Sequence, residues 1–348
     1  MIIRPVRSED TNAILALAKT AGVGMTTLPD NRDLIAARVD ASAKTFAGQL
    51  PREDQQWMFA LEDRANQRVA GVCALVGAVG LREPFYSYRV GIVVHASREL
   101  GIFTQTPTLF LSNDHTGATE LCSLYLDPAY RRDKLGALLS KSRFLFMAQF
   151  REHFSNTVIA ELRGVSDEAG RSPFWESLGR HFFSMDFGQA DYLTGIGKKS
   201  FVAELMPKHP LYSSFLTPEA QAVIGETHPN TRPARRLLEE EGFRFDQHVD
   251  IFDAGPTVEC DLPDIDAVKN AKSGPVAAIL DDADALFDGT PVSLIGTGEL
   301  GDYRLTLGRL VARDDGLMLQ ASCATALGLK TGMNAHHVAL SPKDRKQE

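Results

Sequence analysis

The residues whose types and spacing could do chemistry lie in the segment Leu124-Tyr125-Leu126-Asp127-Pro128-Ala129-Tyr130-Arg131-Arg132-Asp133-Lys134-Leu135-Gly136-Ala137-Leu138-Leu139. It reads as an apolar strand, a turn, and a helix whose first residues are basic or glycine. The N–H groups and positive dipole end at such a helix start can hold a pyrophosphate. Arg131, Arg132, Lys134, Gly136 and Ala137 are therefore candidate contacts for a coenzyme phosphate, although an ordinary strand-to-helix connection shows the same pattern. A second candidate is His228, within Gly225-Glu226-Thr227-His228-Pro229. In a loop ahead of a helix its imidazole can stay accessible and titrate near neutrality. The alternative for His228 is a helix cap or a surface histidine.

Metal chemistry finds no signature. His336 and His337 are adjacent, so their side chains diverge on a strand, and His115 has no partner at ligand spacing. Cys73, Cys122, Cys260 and Cys323 form no C-x-x-C pair, so they read as buried, reduced residues. No metal and no permanently bound cofactor are expected.

The elements that must position these residues follow from periodicity. A strand, Met1 to Val6, leads to a helix carrying Ile14, Leu15 and Leu17, then to a second helix after Asp30 with Leu34, Ile35, Val39 and Phe46 on one side. Strand-like runs at Trp57 to Leu61 and Val69 to Val76 come next. Beyond an insertion between Gly80 and Gly117, with a β-like run at Tyr88 to Val94 and the polar cluster Ser112-Asn113-Asp114-His115-Thr116-Gly117, strand Thr119 to Leu126 enters the long helix. Thr157 to Leu162 then completes a βαβ unit. Ser172 caps a short helix, with Gly179 past its end and His181-Phe182-Phe183 strand-like. Further on come a strand-like run Phe201 to Leu205, a helix after Thr217, a helix from Thr231 closed by Gly242, and a hairpin from Phe243 to Cys260. From about Pro263 short β-like runs alternate with Gly and Asp turns, and the charged tail from Lys343 reads as frayed.

The whole has 348 residues, 44% hydrophobic, with a formal charge of −8. That length can bury several compact units. Acidic balance without a basic run disfavours nucleic acid as partner. No stretch approaches the ~18 apolar residues that cross a bilayer, and the start lacks a secretory pattern. No membrane partner and a cytoplasmic location are the expectations.

Asp127-Pro128-x-Tyr130-Arg131 followed by Gly136-x-Leu138-Leu139 resembles the acetyl-CoA motif of GNAT acyltransferases, R/Q-x-x-G-x-G/A, and the order of preceding elements agrees. The sequence departs from it at Lys134, where a glycine usually stands and where a positive φ would cost energy. Longer stretches, among them Thr108 to Gly117, Ser140-Lys141-Ser142-Arg143-Phe144, Ser172-Pro173-Phe174-Trp175 and Asp250-Ile251-Phe252-Asp253-x-Gly255-Pro256-Thr257, resemble the arginine N-succinyltransferase family. That resemblance implies an α/β (α+β) GNAT-type core over 1–200; the short-helix, Gly, aromatic pattern shared by Leu178-Gly179 and Glu241-Gly242-Phe243 suggests a second acyltransferase-like half over 201–262, and the short β-like runs a small β-rich region over 263–348. The resemblance implies transfer of succinyl from succinyl-CoA, as co-substrate, to the α-amine of L-arginine. His228 matches the family's proton donor, and Leu124 matches a residue that contributes to succinyl-CoA binding, here through its main chain.

Arginine recognition calls for a carboxylate facing the guanidinium. Asp114 leads the candidates, with Asn113 and Ser112 beside it, ahead of Glu120, Glu161, Asp186, Asp250 and Asp253. Arg89, Arg163 or Ser112 could serve the succinate carboxylate. Ornithine as acceptor, a non-catalytic or co-catalytic subunit, a homo-oligomer and pairing with a related chain stay open.

Overall fold

The computed structural model describes residues 1–21, 25–195 and 204–345. Their strands form one mixed sheet of 16 strands. Its central part begins with β1 (Ile2–Pro5), β2 (Gln56–Asp63) and β3 (Arg68–Val76), paired antiparallel in that order. Next come β6 (Thr119–Leu126), β7 (Thr157–Glu161), β10 (Pro256–Asp261) and β9 (Arg244–Val249). Between β1 and β2 run helices α1 (Thr11–Ala21) and α2 (Arg32–Phe46), the latter capped by Asn31, whose side chain accepts from the Asp33 and Leu34 N–H groups. Their apolar stripes, Ile14, Leu17, Ile35 and Val39, cover one face of the sheet with Met58, Val72 and Tyr125. Helix α3 (Leu135–Gln149) covers the other, where Leu138, Leu139, Leu145 and Phe146 pack on Phe59, Cys73 and Val158.

Strands β6 and β7 are parallel, as the expected βαβ unit requires. The insertion is a long hairpin of two strands, β4 (Ser87–Ser97) and β5 (Ile102–Ser112), where sequence pattern shows one. The run Thr104 to Thr108 is too polar to read as a strand alone, and its pairing with β4 decides it. His181-Phe182-Phe183, expected as a strand, belongs to the helical turn Gly179–Phe183. Gly179 does not close the preceding helix but starts this one, and a Cβ there would stand 2.2 Å from the Trp175 ring. The run Phe201 to Leu205 lies outside the described residues up to Ala203, and Glu204 and Leu205 are helical.

Of residues 201–262, expected as a second half, the strands β9 and β10 join the same sheet. β10 pairs with β7 from Thr157 to Glu161, and Leu238, Phe243 and Val258 share the core beneath α3. Past 262, β11 to β16 (Lys272–Leu280, Ser293–Thr297, Arg304–Gly308, Leu310–Arg313, Gly316–Gln320 and Asn334–Ala339) extend it, joining β1 through Ile3 opposite Leu305. The tail expected to fray is anchored as far as Arg345. Arg345 makes a bidentate pair with Glu241 (2.8 and 3.0 Å), and Glu241, 0% exposed, also receives Lys141 of α3 at 2.8 Å. No described helix is long and apolar enough to cross a membrane.

Candidate active site

Two parallel neighbours, β6 and β7, pair only at Thr119 with Val158 and Glu120 with Ile159. Beyond that point β6 stays with β3 as far as Leu126, and β7 stays with β10 as far as Glu161. The strands therefore part, leaving backbone edges that face a gap at their C-terminal ends.

The gap coincides with a bulge. Val72 pairs with Tyr125 and Ala74 with Cys122, so Ser123 and Leu124 stand together opposite Cys73 alone. Ser123 takes a left-handed conformation, φ 52°. It is held there by Thr27, whose Oγ receives its N–H (3.1 Å) and whose carbonyl accepts from its hydroxyl (2.8 Å). A bulge leaves its extra residue out of the ladder and re-aims the main chain. The bulge thus re-aims the main chain at Leu124, the residue expected to act through its peptide.

The turn after β6 is fastened at several points. The Asp127 carboxylate accepts from the Ala129 N–H and from Arg68, and Tyr130 donates to Asp63 at 3.0 Å. Arg131 turns back on the strand, Nε donating to the Leu126 carbonyl at 3.2 Å with its guanidinium above the Tyr125 ring. Arg132 is exposed, its charge 3.7 Å from Asp133. Asp133 and Lys134 both have positive φ, 51° and 62°. The strain expected at Lys134 is thus real and is shared with its neighbour.

That turn delivers α3 with no side-chain cap. Among the described residues the N–H groups of Gly136 and Ala137 have no hydrogen-bond partner, whereas those of Leu135 and Leu138 reach Arg132 and Lys134 carbonyls. A Cβ at Gly136 would meet only a Leu126 methyl, at 3.9 Å. Two open amides at a helix start have the chemistry that holds an anion.

His228 lies at the same end of the sheet. Its N–H donates to the carbonyl of Arg163, just past β7, at 2.9 Å. Its Nδ1 accepts from the Asn230 N–H at 3.2 Å, so the neutral ring carries its proton on Nε2. Burial, and then the Arg163 charge, lower its pKa below 6.5. The Arg163 loop is itself clamped. The fully enclosed Asp253 carboxyl receives the N–H groups of Gly164 (2.7 Å) and Gly255 (2.8 Å), and burial pushes its pKa well up. A Cβ on Gly255 would come 2.1 Å from the Leu162 carbonyl, so only glycine permits this approach.

The insertion cluster makes its own contacts. Asp114 is engaged by His248 (3.0 Å) and lies 3.7 Å from Arg89. The His248 hydrogen bond is the main cause that lowers its pKa. Asn113 donates to the Phe85 carbonyl, and Ser112 is buried on β5. His115, which sequence spacing leaves without a partner, stands with its ring 4.4 Å from that of His248 and its Nε2 3.1 Å from Glu259. One ligand atom from each of His115, His248 and Glu259 lies within 4.8 Å of the others, a set hidden by their separation in the chain. Sequence reasoning also passed over Ser123 and Asp253 in these roles. A serine gives no bulge signal, but the Asp253-x-Gly255 spacing was available.

The family model described as arginine N-succinyltransferase beta subunit matches residues 1–267. Arginine N-succinyltransferases of Escherichia coli O139:H28 and Shigella flexneri are each 48% identical to this chain over 345 residues, covering 99% of both sequences. The solved arginine/ornithine succinyltransferase subunit AI from Pseudomonas aeruginosa superposes with a TM-score of 0.87 at 32% identity, over 98% of each chain. With its α/β core, the chain is an acyltransferase and belongs to the arginine N-succinyltransferase family.

Proposed function

We propose that this enzyme transfers the succinyl group of succinyl-CoA to the α-amine of L-arginine, giving N2-succinylarginine and CoA. The observation that carries the reading is the parted pair β6 and β7, with a bulge at Leu124 inside the gap and two open amides at Gly136 and Ala137 below it. The pyrophosphate of CoA sits on those amides, with Arg132 and Lys134 as added positive charge, and the pantetheine arm runs up the open edge of β6. The Leu124 peptide then meets the thioester oxygen, where negative charge develops as the amine attacks.

The attacking amine loses a proton and the departing thiolate must gain one. On taking up a proton the His228 ring carries hydrogen on both nitrogens and forfeits the Asn230 contact. With burial and Arg163 acting in the same direction, its imidazolium is a stronger acid than an ordinary one. That suits a proton donor to sulfur. Residues 1–262 work as the acyl-transfer unit in this reading, and the enzyme is cytoplasmic.

The test is turnover by purified protein with succinyl-CoA or acetyl-CoA against arginine or ornithine, followed by thiol release. Ornithine is included because the Pseudomonas neighbour is named for both amino acids. His228→Ala should lower kcat by about 10²–10⁴-fold with CoA affinity unchanged. No thiol release with arginine and succinyl-CoA would defeat the assignment, and full activity in the variant would remove His228 from the chemistry.

A further inference from the structure

Four arginine and lysine side chains are buried among the described residues, and three have carboxylate partners. Arg4 is paired with Asp10 at 2.7 Å, Lys141 with Glu241 at 2.8 Å, and Arg345 with Glu241 and Asp266. Arg143 of α3, 2% exposed, is the exception. Its Nε donates to the Ser140 carbonyl at 3.0 Å and one terminal nitrogen to the Ser140 hydroxyl at 3.3 Å, and among the described residues it meets no carboxylate. The charges nearest in kind are the thiols of Cys73 and Cys122. Burial raises both thiol pKa values, that of Cys122 to about 12, so neither supplies a negative charge at neutral pH. A buried guanidinium without an anion is costly to a fold, and its retention calls for a counter-ion that arrives from outside.

The position of Arg143 says which counter-ion. Gly136, Ser140 and Arg143 recur at i, i+4 and i+7, one stripe of α3. In a βαβ crossover the helix runs back along the strand before it. Hence the Gly136 end of the stripe lies by Leu126, and the Arg143 end lies by Cys122. Cys73 and Cys122 border the bulge of Ser123 and Leu124. A coenzyme anchored at Gly136, with its thioester at Leu124, therefore points the far end of its acyl group toward Arg143.

We propose that Arg143 is the receptor for the terminal carboxylate of the succinyl group. The acyl tail completes the ion pair that the protein leaves open, and an uncharged acyl group of equal length leaves the guanidinium buried and unpaired. Selectivity for a dicarboxylic acyl-CoA then comes from this one side chain, a conclusion that rests on the acyl-transfer reading above.

The experiment compares succinyl-CoA with butyryl-CoA, equal in chain length but uncharged, in the wild type, Arg143→Lys and Arg143→Leu. Arg143→Leu should lose kcat/KM for succinyl-CoA by on the order of 10²–10³-fold, keep or raise that for butyryl-CoA, and bind CoA as the wild type does. Arg143→Lys should fall between them. A parallel loss with both thioesters would mark Arg143 as structural and overturn the proposal while leaving acyl transfer standing. Absence of turnover with either thioester in the wild type would instead defeat the acyl-transfer reading. Should Arg143→Leu fail to fold, calorimetry of the intact wild type without arginine decides, since equal affinity for the two thioesters overturns the proposal.

Discussion

The proposed coenzyme end of the molecule and its buried ionic joint are built on opposite principles. At the first, the groups proposed to work are main-chain: the Leu124 peptide at a bulge, and the uncapped amides of Gly136 and Ala137. At the second, Lys141, Glu241, Asp266 and Arg345 are side chains from four distant stretches, closed around a carboxylate that is 0% exposed. Main-chain donors cost the fold little, because a helix start leaves them open anyway. Buried charges cost much unless every one is matched. The coenzyme end should therefore tolerate substitution in stability and respond in affinity, and the ionic joint should do the reverse.

The largest expected effect probes the joint. Glu241→Ala leaves Arg345 with Asp266 alone and Lys141 with only Glu240 at 3.8 Å, and should cost about 3–5 kcal/mol of stability in urea unfolding. A loss below about 1 kcal/mol would show that the joint is dispensable and break the contrast.

At the coenzyme end, Gly136→Val should raise KM for succinyl-CoA by at least about tenfold, the scale of one lost charge-assisted contact. The melting temperature should barely move, since a Cβ there meets only a Leu126 methyl. An unchanged KM would remove Gly136 from the phosphate cradle. Lys134→Gly should gain about 1 kcal/mol by releasing a left-handed lysine, while weakening CoA binding if the ammonium faces phosphate. Tighter CoA binding by that variant would assign the turn to the main chain alone.

The smallest effect is on pH. His115 has a pKa lowered below 6.5 by burial, so the unfolded chain binds its proton more readily than the folded one. Stability should be full well above pH 6.5 and decline as pH falls below it. His115→Gln should flatten that decline in melting temperature between pH 7.5 and 5.5. An identical slope would place the acid sensitivity elsewhere.

Legibility follows the same division. The strand from Thr119 to Leu126, the helix after it, and the parallel return at Thr157 were readable because burial on both faces writes itself as continuous apolar runs. The turn and helix start at Arg131 to Ala137 were readable because their residues are consecutive. The imidazole pair was not, since His115 and His248 sit on a loop and a strand whose adjacency is set only when β9 enters the sheet beside β4. Asp114, read as a substrate contact, is engaged by His248 and lies near Arg89, partners that its position in the chain does not announce.

Local order in the chain by itself determined the βαβ core, the coenzyme turn and the family, because propensity, period and turn chemistry act over a few neighbouring residues. Only the tertiary structure decided that β9 and β10 continue the first sheet, that the tail is anchored by a buried Arg345, and that Arg143 alone among the described buried arginines and lysines lacks a carboxylate. Those outcomes depend on which distant strands and charges share a low-dielectric interior, and there solvation and pairing are settled by every neighbour at once.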